Sequence, residues 1–144
     1  CTNYLNTYVA TIAKVSVNKS TGGVKVERVV GAQDMGEIIN PQVAKLQIEG
    51  GIMMGLSAAL SEEIEFSSGK IRTKNFDSYQ ITKFSDTPSI DVFLVENSDL
   101  PPQGCGEPAI TTVGAALANA IFDAVGARVH TLPMTPERIL AAMD

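Results

Sequence analysis

The chain has 144 residues, enough for one domain with a substantial core, and its 44% hydrophobic and 19% charged residues are typical of a soluble globular protein. Sixteen acidic against eleven basic residues give a formal net charge of −5 without a concentrated basic stripe, which argues against a surface for nucleic acid or anionic membranes. The longest apolar stretches, such as IMMGLSAAL, are about half as long as a bilayer span.

Cysteine and histidine are too sparse for a clustered metal site. The chain has two cysteines, Cys1 and Cys105, and a single histidine, His130. We therefore predict no zinc or iron site built from Cys and His within the chain, and we interpret His130 as a surface residue of a strand.

The first predicted elements form a β-hairpin. Residues Tyr8–Val17 and Val24–Ala32 alternate as strands do, and NKSTGG between them supplies residues typical of a turn.

A long helix is predicted next. Asn40 is a good N-cap, and Pro41 fits the first helical position, where its missing N–H costs nothing. The spacing places five apolar residues near one face, namely Val43, Leu46, Met53, Leu56 and Leu60.

Two adjacent glycines, Gly50 and Gly51, interrupt this helix. Each costs roughly 1 kcal/mol relative to alanine in a helix interior. Glycines at such positions allow close approach, and the local sequence leaves open whether a neighbouring helix or a bound ligand makes that approach.

The middle of the chain predicts a second hairpin, from EEIEF and KIRTKNF joined by SSG, and a strand at Ser89–Glu96. That strand has Ile90, Val92 and Leu94 on one face. The stretch NSDLPPQGCGEP, rich in proline and glycine, is a predicted loop.

A helix over Thr112–Val125 follows, with Thr111 or Thr112 as its cap and Gly126 as its stop. Val113, Leu117 and Ile121 line one face, and five alanines make the helix thin. A final helix begins at Thr135 and Pro136. Strands and helices mix without strict βαβ alternation, so we predict an α+β fold.

Glu107 stands alone in QGCGEPAITT, between the loop and this helix. From the local residues, it is either a favourable charge at a helix N-terminus or a base that does chemistry. Cys105, two residues earlier, is either a reactive thiol or a small buried filler.

Three separated segments resemble a known family. They are GAQDMGEIINPQVAKLQIEGGIMMGLSAALSEE, NFDSYQITKFSDTPSIDVFLVEN and GCGEPAITTVGAALANAIFDAVGARVHTLPMTPERI. Through the motifs Q-x-E-G-G, F-x-x-Y and G-E-P, in that order, residues 8–139 are similar to the molybdenum-binding subunit of the xanthine oxidase family. Within that family, the chain looks like the beta subunits of the isoquinoline 1-oxidoreductase and aldehyde dehydrogenase type.

The resemblance implies that residues 1–144 are a domain or domain fragment, the C-terminal part of a longer molybdopterin-binding subunit. The start at Cys1 rather than Met agrees with this. Alone, the fragment would be inactive and bind no cofactor. Its partners would be the remainder of the molybdenum subunit, an iron–sulfur subunit and a small-molecule substrate.

The resemblance also implies a role for Glu107, which matches the family's catalytic base beside the molybdenum. In that family the base takes a proton from the oxygen that attacks an electron-poor carbon, water supplies that oxygen, and electrons leave through iron–sulfur clusters. Gly104 and Gly106 would let the backbone approach the cofactor closely, and Pro108 would stiffen the exit of the loop.

Gln47 matches the family glutamine that contacts the pterin through its amide, a group that can both donate and accept hydrogen bonds. Gly50, Gly51 and Gly106 are then predicted to lie close to the cofactor. Free N–H groups at the start of the Thr112 helix could meet an anionic cofactor tail.

Two positions depart from the family pattern. Ala109 stands where many members have a second proline, and Cys105 stands where other residues are common. Neither removes the base, and the substrate could be an aldehyde, an N-heterocycle or a purine.

Other functions compete with this one. The chain could be a non-catalytic binding or assembly module that retains the fold, or a small α+β domain whose G-E-P is a coincidence. A cut domain should expose apolar surface, as at Met53, Met54 and the alanine face of the Thr112 helix. We therefore expect a homodimer or higher oligomer in isolation.

Overall fold

The computed structural model describes residues 1–4 and 6–143, and its fold is α+β, as predicted. The strands are β1 (Thr2–Tyr4), β2 (Thr7–Val17), β3 (Val24–Asp34), β4 (Phe66–Ser67), β5 (Lys70–Ile71) and β6 (Ser89–Leu94). The helices are α1 (Pro41–Leu60), α2 (Val113–Val125) and α3 (Pro136–Ala141), with 3₁₀ helices at Phe84–Asp86 and Pro108–Thr112.

The main sheet has the strand order β1–β2–β3–β6. Its first three strands pair antiparallel, whereas β6 runs parallel to β3. A parallel pair needs a long crossover connection, and α1 lies within the one used here. The crossover brings α1 onto the sheet. The two pack closely, because a Cβ added at Gly31 on β3 would lie 3.0 Å from Cδ1 of Ile52 on α1.

The first hairpin is confirmed, and β3 continues two residues beyond its predicted end, to Asp34. Asn18 organises the turn, because its side-chain oxygen accepts hydrogen bonds from the backbone N–H groups of Ser20 and Thr21 at 2.9 and 3.2 Å.

Helix α1 begins as predicted, since the Asn40 side chain accepts a hydrogen bond from the Val43 N–H at 3.1 Å. The five apolar residues predicted to lie near one face do not form a common buried face. Leu56 is buried, but Val43 and Leu46 are 56% and 61% exposed, and Met53 and Leu60 are half-buried. The face that packs on the domain consists of Ala44, Ile48, Gly51, Ile52, Gly55, Leu56, Ser57 and Ala59. Apolar residues lie all around this helix, so periodicity does not identify the covered face.

The second hairpin exists but is much shorter than predicted. Only Phe66 with Ile71 and Ser67 with Lys70 are paired. Phe66 and Ile71 are 77% and 58% exposed, so in the described chain no core surface supports longer strands.

Helix α2 buries the predicted Val113, Leu117 and Ile121, and Gly126 ends it in the left-handed conformation at φ 79°. Thr112 is the N-cap residue, as predicted, but its side chain makes no capping hydrogen bond. The Thr112 hydroxyl instead pairs with that of Thr11 on β2 at 2.6 Å, which ties the helix start to the sheet. The Thr111 hydroxyl donates to the Pro108 carbonyl at 2.6 Å.

The window Pro108–Val125 is long and apolar enough to cross a membrane by length and composition, with a mean hydropathy of 1.4. It is twice the length of the apolar run IMMGLSAAL. Residues of this window pack into the hydrophobic core with α1 and β2, and its small residues allow that packing. A third of the window is buried within the described part of the chain.

The C-terminal part follows the sequence closely. Thr135 caps α3 by accepting a hydrogen bond from the Arg138 N–H. Cys105 is half-buried and packs against the core. His130 is exposed as predicted but lies outside any strand, which corrects that part of its interpretation.

Candidate functional site

The segment from β6 to Glu107 is fastened to the end of β3. Three backbone hydrogen bonds join them: Val95 N–H to the Gln33 carbonyl at 3.0 Å, Gln103 N–H to the Met35 carbonyl at 2.7 Å, and Glu37 N–H to the Leu100 carbonyl at 3.0 Å. The loop that carries the G-E-P motif is therefore positioned by residues 62 to 68 positions earlier in the chain.

A tight turn after β3 makes this attachment possible. The Asp34 carboxylate accepts hydrogen bonds from the Gly36 N–H at 3.0 Å and from the Asn97 side-chain amide at 2.9 Å. Gly36 has φ 71°, and a Cβ there would lie 2.3 Å from the Pro101 carbonyl oxygen, so only glycine fits. Asp-x-Gly after a strand is the sequence signal for this turn, which the sequence analysis missed.

Thr7 on β2 holds the same loop from the other side. Its side chain is 0% exposed, and its hydroxyl donates to the Gly104 carbonyl at 2.8 Å. No local pattern marks this threonine, because its partner lies 97 residues away.

Gln47 and the G-E-P loop meet directly. The Gln47 side-chain nitrogen Nε2 donates a hydrogen bond to the Gly106 carbonyl oxygen at 3.0 Å, across 59 residues of sequence. Gln47 is exposed on α1, so its side-chain oxygen remains open to an external donor. Two predicted site residues, Gln47 and Gly106, thus lie together, with Glu107 next in the chain.

Glu107 is exposed and immediately precedes the 3₁₀ helix Pro108–Thr112. Its carbonyl accepts from the Ile110 N–H at 3.0 Å, but its side chain makes no capping hydrogen bond to that helix. Pro108 and Ala109, which follow it in the chain, are buried. The backbone of Glu107 is therefore anchored, and its carboxylate lies at the surface.

The predicted glycines differ in their surroundings. A Cβ added at Gly50, Gly104 or Gly106 would meet no atom within 4 Å, so each leaves open space beside the backbone. A Cβ at Gly51 would lie 3.1 Å from the Ala109 Cβ, which shows close packing of α1 against the 3₁₀ helix. Cofactor contact at all four positions stays a prediction.

The surroundings of Gln47 are unusually apolar for an exposed helix. We call the residues Val43, Leu46, Gln47, Gly50 and Met54 the outer face of α1. Val43, Leu46 and Met54 are 56%, 61% and 63% exposed. A helix with apolar residues on all sides is typically covered on all sides.

Tyr79 of the F-x-x-Y segment is attached to the end of α1. Its hydroxyl donates to the Glu62 carboxylate at 2.5 Å, and this hydrogen bond raises the pKa of Tyr79 above its ordinary value.

Within residues 1–4 and 6–143, no group of three or more His, Cys, Asp or Glu could hold a metal ion.

The sequence matches a family model described as molybdopterin cofactor-binding domain over residues 2–88. This match covers more than half of the chain, so the chain belongs to that family, and the predicted resemblance is confirmed.

Among curated relatives, the chain is 40% identical over 136 residues to one of the subunits of nicotinate dehydrogenase from Pseudomonas putida, covering 94% of this chain and 12% of the relative. It is 37% identical over 135 residues to the beta subunit of isoquinoline 1-oxidoreductase from Brevundimonas diminuta, covering 94% and 17%. The aldehyde oxidoreductase structure from Desulfovibrio desulfuricans superposes with a TM-score of 0.87 at 35% identity, covering 96% and 16%. The chain thus spans less than a fifth of each of these proteins.

Proposed function

We propose that this chain forms part of a molybdenum hydroxylase, with Glu107 as the base at the cofactor. The enzyme would oxidise an aldehyde or an N-heterocycle and take the new oxygen from water. The hydrogen bond from Gln47 to Gly106 carries the proposal, because it joins the two predicted motifs at one exposed surface. The relatives' names point to the same class of enzyme.

The residues present fit a pterin cofactor. The Gln47 amide is exposed and already oriented by Gly106, so its oxygen can accept from a pterin N–H. Open space at Gly50, Gly104 and Gly106 allows a flat ring system to approach the backbone. The cofactor would lie against this surface, with the remaining contacts made outside these 144 residues.

The chemistry assigned to the chain itself is a proton transfer. When bound, the cofactor supplies two-electron redox chemistry and makes a water-derived oxygen more acidic. The Glu107 carboxylate accepts the proton from that oxygen as it attacks the substrate carbon. The anchored backbone around Glu107 limits its motion, which a base needs if it is to stay within reach of the proton.

Further partners follow from this proposal. The remainder of the molybdenum subunit would cover the outer face of α1, and iron–sulfur clusters on a partner subunit would accept the electrons. Alone, the chain would be inactive. Its exposed apolar surface would then drive a homodimer or higher oligomer, and light scattering that reports a monomer over a wide concentration range would contradict this.

The second candidate is a non-catalytic binding or assembly module. The exposed apolar outer face of α1 favours it as well, because a docking surface has the same character. The two candidates differ in whether the Glu107 carboxylate is needed for turnover.

The test uses the full-length subunit with its iron–sulfur partner. We expect Glu107→Gln to retain its molybdenum and to lower kcat for an aldehyde or isoquinoline by roughly 10²- to 10⁴-fold. Glu96→Gln is the matched control, since Glu96 is an exposed carboxylate on the same connecting segment. Equal turnover by Glu107→Gln and wild type would refute the base, and a wild type without bound molybdenum would favour the assembly module.

A further inference from the structure

Gln33 is a polar side chain in the interior of the domain. It is 0% exposed, and neither its Nε2 nor its Oε1 has a hydrogen-bond partner in the described part of the chain. Buried side-chain amides are nearly always paired, because an unpaired one loses its hydrogen bonds to water without replacement. Methionine or leucine would fill similar space without this penalty, so the amide calls for an explanation.

The strands around Gln33 offer it apolar neighbours. Val9 is directly opposite on β2, and Leu94 is its partner on β6. Because side chains alternate along a strand, Gly31 and Met35 are the nearest positions on the same face of β3. The sheet therefore does not explain a glutamine at this position.

The loop of residues 101–106 crosses this end of the sheet. The Met35 carbonyl binds the Gln103 N–H, and the Thr7 hydroxyl binds the Gly104 carbonyl. The backbone of Gln33 itself holds Val95, at the start of the segment that leads to the loop. Gln33 thus belongs to the group of residues that anchors the loop, and its amide is the unused polar group within that anchor.

The solvent side of the loop is open. Gly104 and Gly106 are exposed, and a Cβ at either position would meet no atom within 4 Å. Glu107 directly follows, and a small displacement of the loop would move its carboxylate.

We propose that Gln33 is a positioning residue for Glu107. In the complete subunit, its side-chain amide hydrogen-bonds to the backbone of residues 101–106 and fixes the loop that presents the carboxylate. This inference rests on the proposed function of Glu107. A directional hydrogen bond would define the loop's position in a way that an apolar contact cannot.

The test compares Gln33→Met with wild type in the full-length subunit and its iron–sulfur partner. Hydrogen exchange followed by mass spectrometry measures the exchange rate of the backbone amides of residues 103–107. Steady-state kinetics measure kcat and KM. We expect exchange in this segment to be roughly fivefold faster and kcat to be roughly fivefold lower, with KM unchanged and the unfolding temperature not reduced. The exposed Gln80→Met, which should change neither quantity, is the control.

Gln33→Glu provides a second, reversible test. A buried carboxyl has a raised pKa, and its protonated form can both donate and accept. Exchange in residues 103–107 should therefore be close to wild type at low pH and increase as the carboxyl ionises. This variant decides the matter if Gln33→Met does not fold.

Wild-type exchange in Gln33→Met, or exchange in Gln33→Glu with the same pH dependence as wild type, would overturn the inference. If Glu107→Gln is inactive while both Gln33 variants behave as wild type, the base stands and the positioning role fails. If Glu107→Gln is fully active, the proposed function itself fails, and the exchange data still report whether Gln33 holds the loop.

Discussion

The two faces of α1 have nearly the same chemical character but different surroundings. On the inner face, Ile48 and Ile52 are 1% and 0% exposed and pack in the core. On the outer face, Leu46 and Met54 are more than 60% exposed. This domain covers the inner face, and under the proposed function the remainder of the subunit would cover the outer face.

The glycines of α1 show the same division. Gly55 is required by the fold, since a Cβ there would lie 2.7 Å from the Val113 Cβ. Gly50 faces open space and carries a cost in helix stability that no contact within the described chain repays. The proposed cofactor or the remainder of the subunit would approach the outer face at this glycine. Gln47, which is proposed to contact the cofactor, lies one turn before it.

The largest expected difference between the faces is in core packing. Ile52→Ala should lower the free energy of unfolding of the chain by about 2–5 kcal/mol, because it leaves a cavity in the core. Leu46→Ala should change it by less than about 0.5 kcal/mol. Urea denaturation followed by circular dichroism measures both, and equal losses would mean that the faces do not differ as described.

Alanine substitutions at Gly55 and Gly50 should change the free energy of unfolding in opposite directions. Gly55→Ala should destabilise the chain by about 1–3 kcal/mol, because the new methyl group collides with Val113. Gly50→Ala should stabilise it by about 0.5–1 kcal/mol through the lower entropy of the unfolded chain. The same denaturation experiment applies. A destabilising Gly50→Ala would show that Gly50 is needed by the isolated fold.

The smallest expected effect concerns Gln47. In the full-length subunit, Gln47→Met should weaken retention of the pterin by roughly two- to tenfold, the contribution of about one hydrogen bond. Gln42→Met, an exposed glutamine at the start of the same helix, should retain it fully. Pterin and molybdenum content after dialysis measure the effect, and equal retention by both variants would remove Gln47 from the cofactor site.

Local signals in the sequence predicted local features well. Asn40 with Pro41, Gly126, and Thr135 each define a helix end through bonds to residues within four positions, so their patterns could be read directly. Thr112 is the N-cap of α2 but makes no capping hydrogen bond, since its hydroxyl pairs with that of Thr11, 101 residues away. A tertiary partner of this kind leaves no local trace.

In the candidate site too, the sequence identifies residues but not their contacts with distant segments. Glu107 and Gln47 were identified through the family resemblance, since local residues left Glu107 open to two interpretations. The bond from Gln47 to Gly106 and the burial of Gln33 depend on how distant segments meet, which periodicity does not encode. The face of α1 was misassigned because both faces are apolar.

The central claim is that the surface around Gln47 and Glu107 is internal to a larger subunit. Methionine oxidation mapped by mass spectrometry tests it without mutation, because Met54 is 63% exposed on the outer face and Met134 is 1% exposed in the core. The 144-residue chain, diluted until light scattering reports a monomer, is compared with the full-length subunit. We predict that Met54 is oxidised rapidly in the chain and protected in the subunit, while Met134 is protected in both. Equal oxidation of Met54 in the two proteins would contradict the account.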